Sequence, residues 1–183
     1  GALLIAKGLD DRLETTRFNI TSDKIPAGFS DFKIVHISDL HASTVPGLYD
    51  EIRGEAPDII VITGDLAHDR GTYLPVVHIL TRLREIAPIY YVSGNHDVRR
   101  PDYSEYCEAL KNTGAVSLDD ISILWERGGD TITLSGIADP FSEVNPTITR
   151  NIKASMERLP ETNNYHICLF HRANHMDILL EKN

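Results

Sequence analysis

Four short motifs carry the chemistry open to this chain: Asp39-Leu40-His41, Gly64-Asp65, Gly94-Asn95-His96-Asp97 and, near the end, His171. Each follows an apolar run that reads as a buried β-strand: Phe32 to Ile37, Asp58 to Ile62, Pro88 to Val92, and Tyr165 to Phe170. Side chains placed just past the carboxyl end of a strand reach the edge where open α/β sheets keep their sites. Carboxylate with imidazole suits Zn, Mn or Fe better than Ca or Mg, which prefer shells of oxygen alone. The four motifs together predict a pair of metal ions at one edge of a sheet.

The elements that must position them follow from periodicity. Ile34, Val35 and Ile37, and then Ile59 to Ile62, are near-continuous apolar runs, as expected of strands covered on both faces by other layers. The segments between them read as helical. From Tyr73 to Ile86, Val76, Leu80 and Leu83 form one stripe, with Pro75 tolerable in the first turn. Asp102-Tyr103-Ser104-Glu105 has the form of a capping box opening a further helix, whose Tyr103, Tyr106, Cys107 and Leu110 share a face. Ile121 to Glu126 and Asp130 to Leu134, around Arg127-Gly128-Gly129, predict a β-hairpin, followed by helices over Thr147 to Leu159 and Met176 to Glu181. Glu14 to Ile20 is β-prone and predicts a leading strand. This order predicts an α/β fold in which two mixed β-sheets pack as a sandwich flanked by helices, rather than one doubly wound sheet.

A chain of 183 residues, 42% apolar and 25% charged, is long enough for one domain with a hydrophobic core. The formal charge of −9 argues against nonspecific nucleic-acid binding, which needs a surplus of Lys and Arg. Part of that acidity is local, because Asp39, Asp65 and Asp97 would crowd one site and favour uptake of a cation. Cys107 and Cys168 are far apart and predict two free thiols, in keeping with a reducing compartment. The first 13 residues open on an apolar stub, Gly1 to Ala6, without Met. They are expected to be a tag scar or the remnant of a removed segment, leaving the domain over 14–183 and either a cytoplasmic or a membrane-tethered protein.

Ile37-Ser38-Asp39-Leu40-His41, Thr63-Gly64-Asp65-Leu66, Ser93-Gly94-Asn95-His96-Asp97 and Phe170-His171-Arg172 in this order resemble the calcineurin-like metallophosphoesterase superfamily, in particular its small bacterial phosphohydrolase branch. The resemblance runs from about residue 14 to the end and implies a four-layer sandwich with two metals at the strand ends. By position it implies that Asp39 and His41 bind one metal, Asn95 and His171 the other, and that Asp65 bridges them. The metals implied are Mn, Fe, Zn or Co. A metal-bridging hydroxide would attack phosphorus, with His96 protonating the leaving oxygen and Asp97 orienting His96. The substrate class implied is a phosphomonoester or phosphodiester, on a small molecule or a lipid. Arg99, Arg100 and Arg172 lie close enough in sequence to contact its phosphate.

The superfamily's closing Gly-His-x-His does not occur, and the expectation is that the chain stops short of it, with its C-terminal part missing, weaker metal binding and low activity. The alternative of another class is a non-catalytic module keeping the fold for protein binding. His68, Asp69 and His175 match no ligand position of the superfamily and read as solvated loop or helix positions. His36 and His166 read as packing or hydrogen-bonded strand positions.

Overall fold

A computed structural model describes residues 13–142 and 144–181. Among the described residues, seven strands form two sheets. In the first, β1 (Ile34–Ile37), β2 (Ile59–Thr63), β3 (Ile89–Val92) and β4 (Val116–Ser117) lie in that order. All three of its pairings are parallel, so the expected mixed character belongs only to the second sheet. There β5 (Ser122–Arg127) pairs antiparallel with β6 (Asp130–Ile137), which pairs parallel with β7 (Tyr165–Phe170).

Alternation along the central strands sorts the layers. Ile60 and Ile62 of β2 and Ile89 and Tyr91 of β3 face a cluster with Leu48 and Ile52 of α1 (Leu48–Glu55), Val76, Leu80 and Leu83 of α2 (Leu74–Arg84), and Tyr106 and Leu110. Their neighbours Ile59, Val61, Tyr90 and Val92 face the other way, onto Leu134 and Leu169 of the second sheet. The outer face of that sheet is covered by Ile148 and Ile152 of one helix and Ile178 of another, packed on Ile137 and Phe170. The layers are therefore helix, sheet, sheet, helix, as the sequence predicts. Three helices lie among these on the way to the C-terminus: α3 (Asn95–Val98), α4 (Tyr103–Asn112) and α5 (Asn145–Arg158); α6 (Met176–Leu180) follows β7.

The two sheets approach closely at Gly136. A Cβ there would fall against Val92 Cγ1 and the Leu118 carbonyl, far inside contact distance. Overpacking at such a point typically costs about 1–3 kcal/mol. Gly136→Ala is therefore expected to reduce the unfolding free energy by that margin, seen as a lower urea midpoint, and an unchanged midpoint would show that the sheets can part without cost.

Two local expectations fail. Residues 14–20 form no strand, because their polar side chains bind the side of α1 instead: Thr15 donates to Glu51 at 2.7 Å, Arg17 pairs with Glu55, and Phe18 is left 83% exposed. The Asp102 capping box does not form either. Asp102 occupies the N-cap of α4 without a side-chain cap bond, its carboxylate taken by the Arg100 guanidinium at 2.9 Å. Most of the expected N-terminal stub, residues 1–12, lies outside the described residues. Among the described residues no helix is long and apolar enough to cross a membrane.

Candidate metal centre

Parallel register is what brings three of the motifs together. Past β1 and β2 the two loops continue to pair, with Asp39 N–H on the Gly64 carbonyl at 3.1 Å and His41 N–H on the Asp65 carbonyl at 2.9 Å. The loops are sharply bent: Asp39, His41, Ala42 and Asp65 all have positive φ, between 47° and 56°. Such residues are held against a local preference for the right-handed region. Gly64, at φ 83°, and Gly94 interlock. A Cβ on Gly64 would lie 2.6 Å from Gly94 Cα and 2.7 Å from His171 Nδ1, and one on Gly94 would strike the Asp65 carboxylate. Both glycines are thus needed for close approach of the ligand loops.

Asp65, nearly buried, sits at the middle. Its Oδ2 lies 3.9 Å from His41 Nε2, and its Oδ1 lies 3.6 Å from His171 Nε2. Asp39 Oδ1 is 3.9 Å from His41 Nε2, and Asn95 Oδ1 is 3.2 Å from His171 Nε2. Donors sharing one ion at about 2.0–2.2 Å stand roughly 3–4 Å apart, so these pairs are near that spacing, and ligand atoms of Asp39, Asp65 and His171 all lie within 4.8 Å of one another. His171 gives the strongest sign. Its Nδ1 lies 2.7 Å from the Thr63 carbonyl. A carbonyl only accepts, so Nδ1 carries the proton, and the Nε2 of the neutral ring turns its lone pair toward the oxygens of Asn95 and Asp65. In that form of the ring three lone-pair atoms converge, an arrangement that suits a metal. The His41 Nδ1 is buried without a partner among the described residues.

The structure brings together Asp39, His41, Asp65, Asn95, His96 and His171 as the sequence expects. His96 donates its backbone N–H to Asp65 Oδ1 at 2.8 Å, and its ring stands edge-on to that of His41, centroids 5.0 Å apart. Asp97 is not brought to the His96 ring, whose buried Nδ1 has no described partner. The short helix α3 turns the Asp97 carboxylate back onto the N–H of Gly94 at 3.0 Å, the N–H of Ala67 at 3.1 Å and the Tyr106 hydroxyl at 3.0 Å. Asp97 therefore ties the Gly94 and Asp65 loops together rather than orienting His96. Burial pushes its carboxyl above the usual range, against the opposing pull of the Gly94 and Ala67 N–H groups and Tyr106.

The expected phosphate-binding arginines are placed differently from one another. Arg100 is buried and donates to the carbonyls of His68 at 2.5 Å and Gly71 at 2.9 Å, so its guanidinium holds the chain rather than reaching the candidate ligands. Arg172 grips Asp139 at 2.6 Å. Arg99 is exposed just past α3. His36, on β1, bonds Thr63 Oγ1 at 2.7 Å, and His166 bonds Ser135 Oγ at 2.7 Å, both structural as read from the sequence. His68 is exposed, as expected, yet its ring stacks on that of His41. Sequence reasoning missed this neighbour; its place three residues after Asp65 was the available signal.

The sequence profile of the calcineurin-like phosphoesterases matches residues 32–182. Two Bacillus subtilis proteins are similar to this chain. The uncharacterized metallophosphoesterase YkoQ is 29% identical over 161 residues, covering 83% of this chain and 57% of YkoQ. The uncharacterized metallophosphoesterase YkuE is 39% identical over 94 residues, covering 46% of this chain and 33% of YkuE. The chain thus spans between a third and somewhat over half the length of these relatives. Among solved structures, the phosphopantetheinyl hydrolase of Mycobacterium tuberculosis overlays with a TM-score of 0.43 at 21% identity, over 56% of this chain and 41% of that one.

Proposed function

We propose that this chain, which belongs to the calcineurin-like phosphoesterase family, is the metal-dependent part of a phosphoester hydrolase with a two-ion site. Asp39, His41 and Asp65 would hold one ion and Asp65, Asn95 and His171 the other. The observation that supports this best is the Asp65 carboxylate, one oxygen facing His41 and the other His171, with the His171 lone pair aimed between Asn95 and Asp65. The donor set of carboxylates, imidazoles and one amide favours Mn, Fe, Zn or Co. Divalent ions bound there would polarise phosphoryl oxygens and acidify water near neutral pH.

The chain's own residues do the rest. Thr63 fixes the His171 tautomer through its carbonyl, and Gly64 and Gly94 let the ligand loops touch. His96, tied to Asp65 by its backbone N–H, would protonate a leaving oxygen. The substrates that fit are phosphomonoesters or phosphodiesters of a small molecule or a lipid, and the formal charge of −9 sets nucleic acid aside.

The reading is tested by hydrolysis of a chromogenic phosphomonoester and phosphodiester, before and after chelation and on adding back Mn or Zn. Turnover that disappears with EDTA and returns with metal is expected. Metal uptake without turnover of either ester would leave a non-catalytic module as the function of the fold.

A further inference from the structure

His68 stands on the loop after β2, and no step above uses it. Its ring lies nearly parallel to that of His41, with centroids 4.7 Å apart and planes inclined by 20°. It stands edge-on to the ring of His96, 6.1 Å away. A ring nitrogen from each of His41, His68 and His96 lies within 4.8 Å of the other two. The His68 ring nitrogens make no hydrogen bond with a described residue.

The loop is fixed more firmly than exposure alone would require. Arg100 is buried, and its guanidinium donates to the carbonyl of His68 itself and to that of Gly71, with Asp102 balancing the charge. The same guanidinium lies over the rings of Tyr73 and Tyr106, at 5.2 and 5.3 Å. Taking a guanidinium out of water is costly unless its hydrogen bonds are met. Here Nη1 and Nη2 donate to the His68 and Gly71 carbonyls and to Asp102, while Nε is buried without a partner among the described residues. One side of His68 is held by Arg100 and the other by the stack on His41.

Three converging imidazoles can share a metal ion or line a pocket as donors. Stacking favours the second. Rings lying nearly parallel send their nitrogens side by side, whereas two imidazoles on one ion must aim at a common point. An incoming phosphoryl group is an anion approaching Asp39 and Asp65, and it needs donors. Arg100 is buried on loop carbonyls and Arg172 is engaged with Asp139, so neither offers its guanidinium on this side. An imidazole N–H donates without taking up a proton.

We infer that His68 is a binding residue for the substrate's phosphoryl group, donating a ring N–H to a phosphoryl oxygen beside His41 and His96. This rests on the phosphoester reading above. The test is calorimetric titration of inorganic phosphate into the zinc-loaded full chain, with zinc content measured in parallel. His68→Phe keeps a flat ring against His41 but has no N–H. His68→Asn and His68→Gln restore a donor near the positions of Nδ1 and Nε2.

His68→Phe is expected to weaken phosphate about 10- to 100-fold, the range for losing one hydrogen bond to a charged group, with zinc content unchanged. One of the two amides is expected to recover most of that loss. Phosphate affinity within twofold of wild type in His68→Phe overturns the inference, as does failure of both amides to recover it. Loss of zinc from His68→Phe would make His68 a metal ligand and also overturns it. Wild-type protein that takes up zinc but binds no phosphate overturns the phosphoester reading, and this inference with it.

Discussion

Asp65→Asn is expected to abolish measurable hydrolysis and to release metal from both halves of the site. The two oxygens of Asp65 face different partners, His41 on one side and His171 on the other, so in the proposed site a single carboxylate would serve both donor sets. An amide in its place offers one neutral oxygen and one N–H, and the N–H points at a group that must present a lone pair. Loss of an outer-shell partner typically costs 10- to 100-fold in metal affinity or activity, and a shared ligand should exceed that, about 10³-fold or more in turnover. The fold should survive, because the amide oxygen can still accept the His96 N–H that Asp65 Oδ1 accepts at 2.8 Å. Metal analysis and circular dichroism on the same sample decide the matter. Two ions per chain together with surviving turnover would refute the shared role.

His96→Ala separates binding from bond breaking. Its ring is near the ligand groups but is in neither donor set, so metal content should not change. Turnover should fall by roughly 10²–10⁴-fold, the usual range for a positioned acid. The loss should shrink for esters with acidic leaving groups, which depart without a proton. An equal loss for every leaving group would assign His96 to holding the phosphate instead.

Strand-borne parts of the site were legible because a buried parallel strand leaves a plain mark, an apolar run ending in a polar turn. Asp39, Asp65 and Asn95 follow β1, β2 and β3, and His171 follows β7, as the runs predict. Less legible were choices decided by neighbours distant in sequence. The β-prone residues 14–20 found polar partners on α1 rather than a strand. Asp102 found a buried arginine instead of its own helix N-terminus. Asp97 follows His96 directly, which suggests a partnership, but one turn of helix sends its carboxylate back to Gly94, Ala67 and Tyr106. Adjacency in sequence says little about direction once a helix begins. His68 is the reverse case, since only the stack on His41 makes its place meaningful.

The His171–Asn95 approach, 3.2 Å between groups that follow β7 and β3, has a bearing on how the protein assembles. Asn95 opens α3 just past β3 of the first sheet, and His171 follows β7 of the second, 76 residues later. In the proposed two-ion site that half requires a long loop to close and the two sheets to dock, an entropic cost that a pairing of adjacent strands does not carry. Asp39, His41 and Asp65 need only β1 and β2, so their half is available earlier. The two halves should therefore fill in sequence as the chain matures. An ion seated last, across the seam, would act as a rivet: it slows the parting of the sheets more than it speeds their meeting.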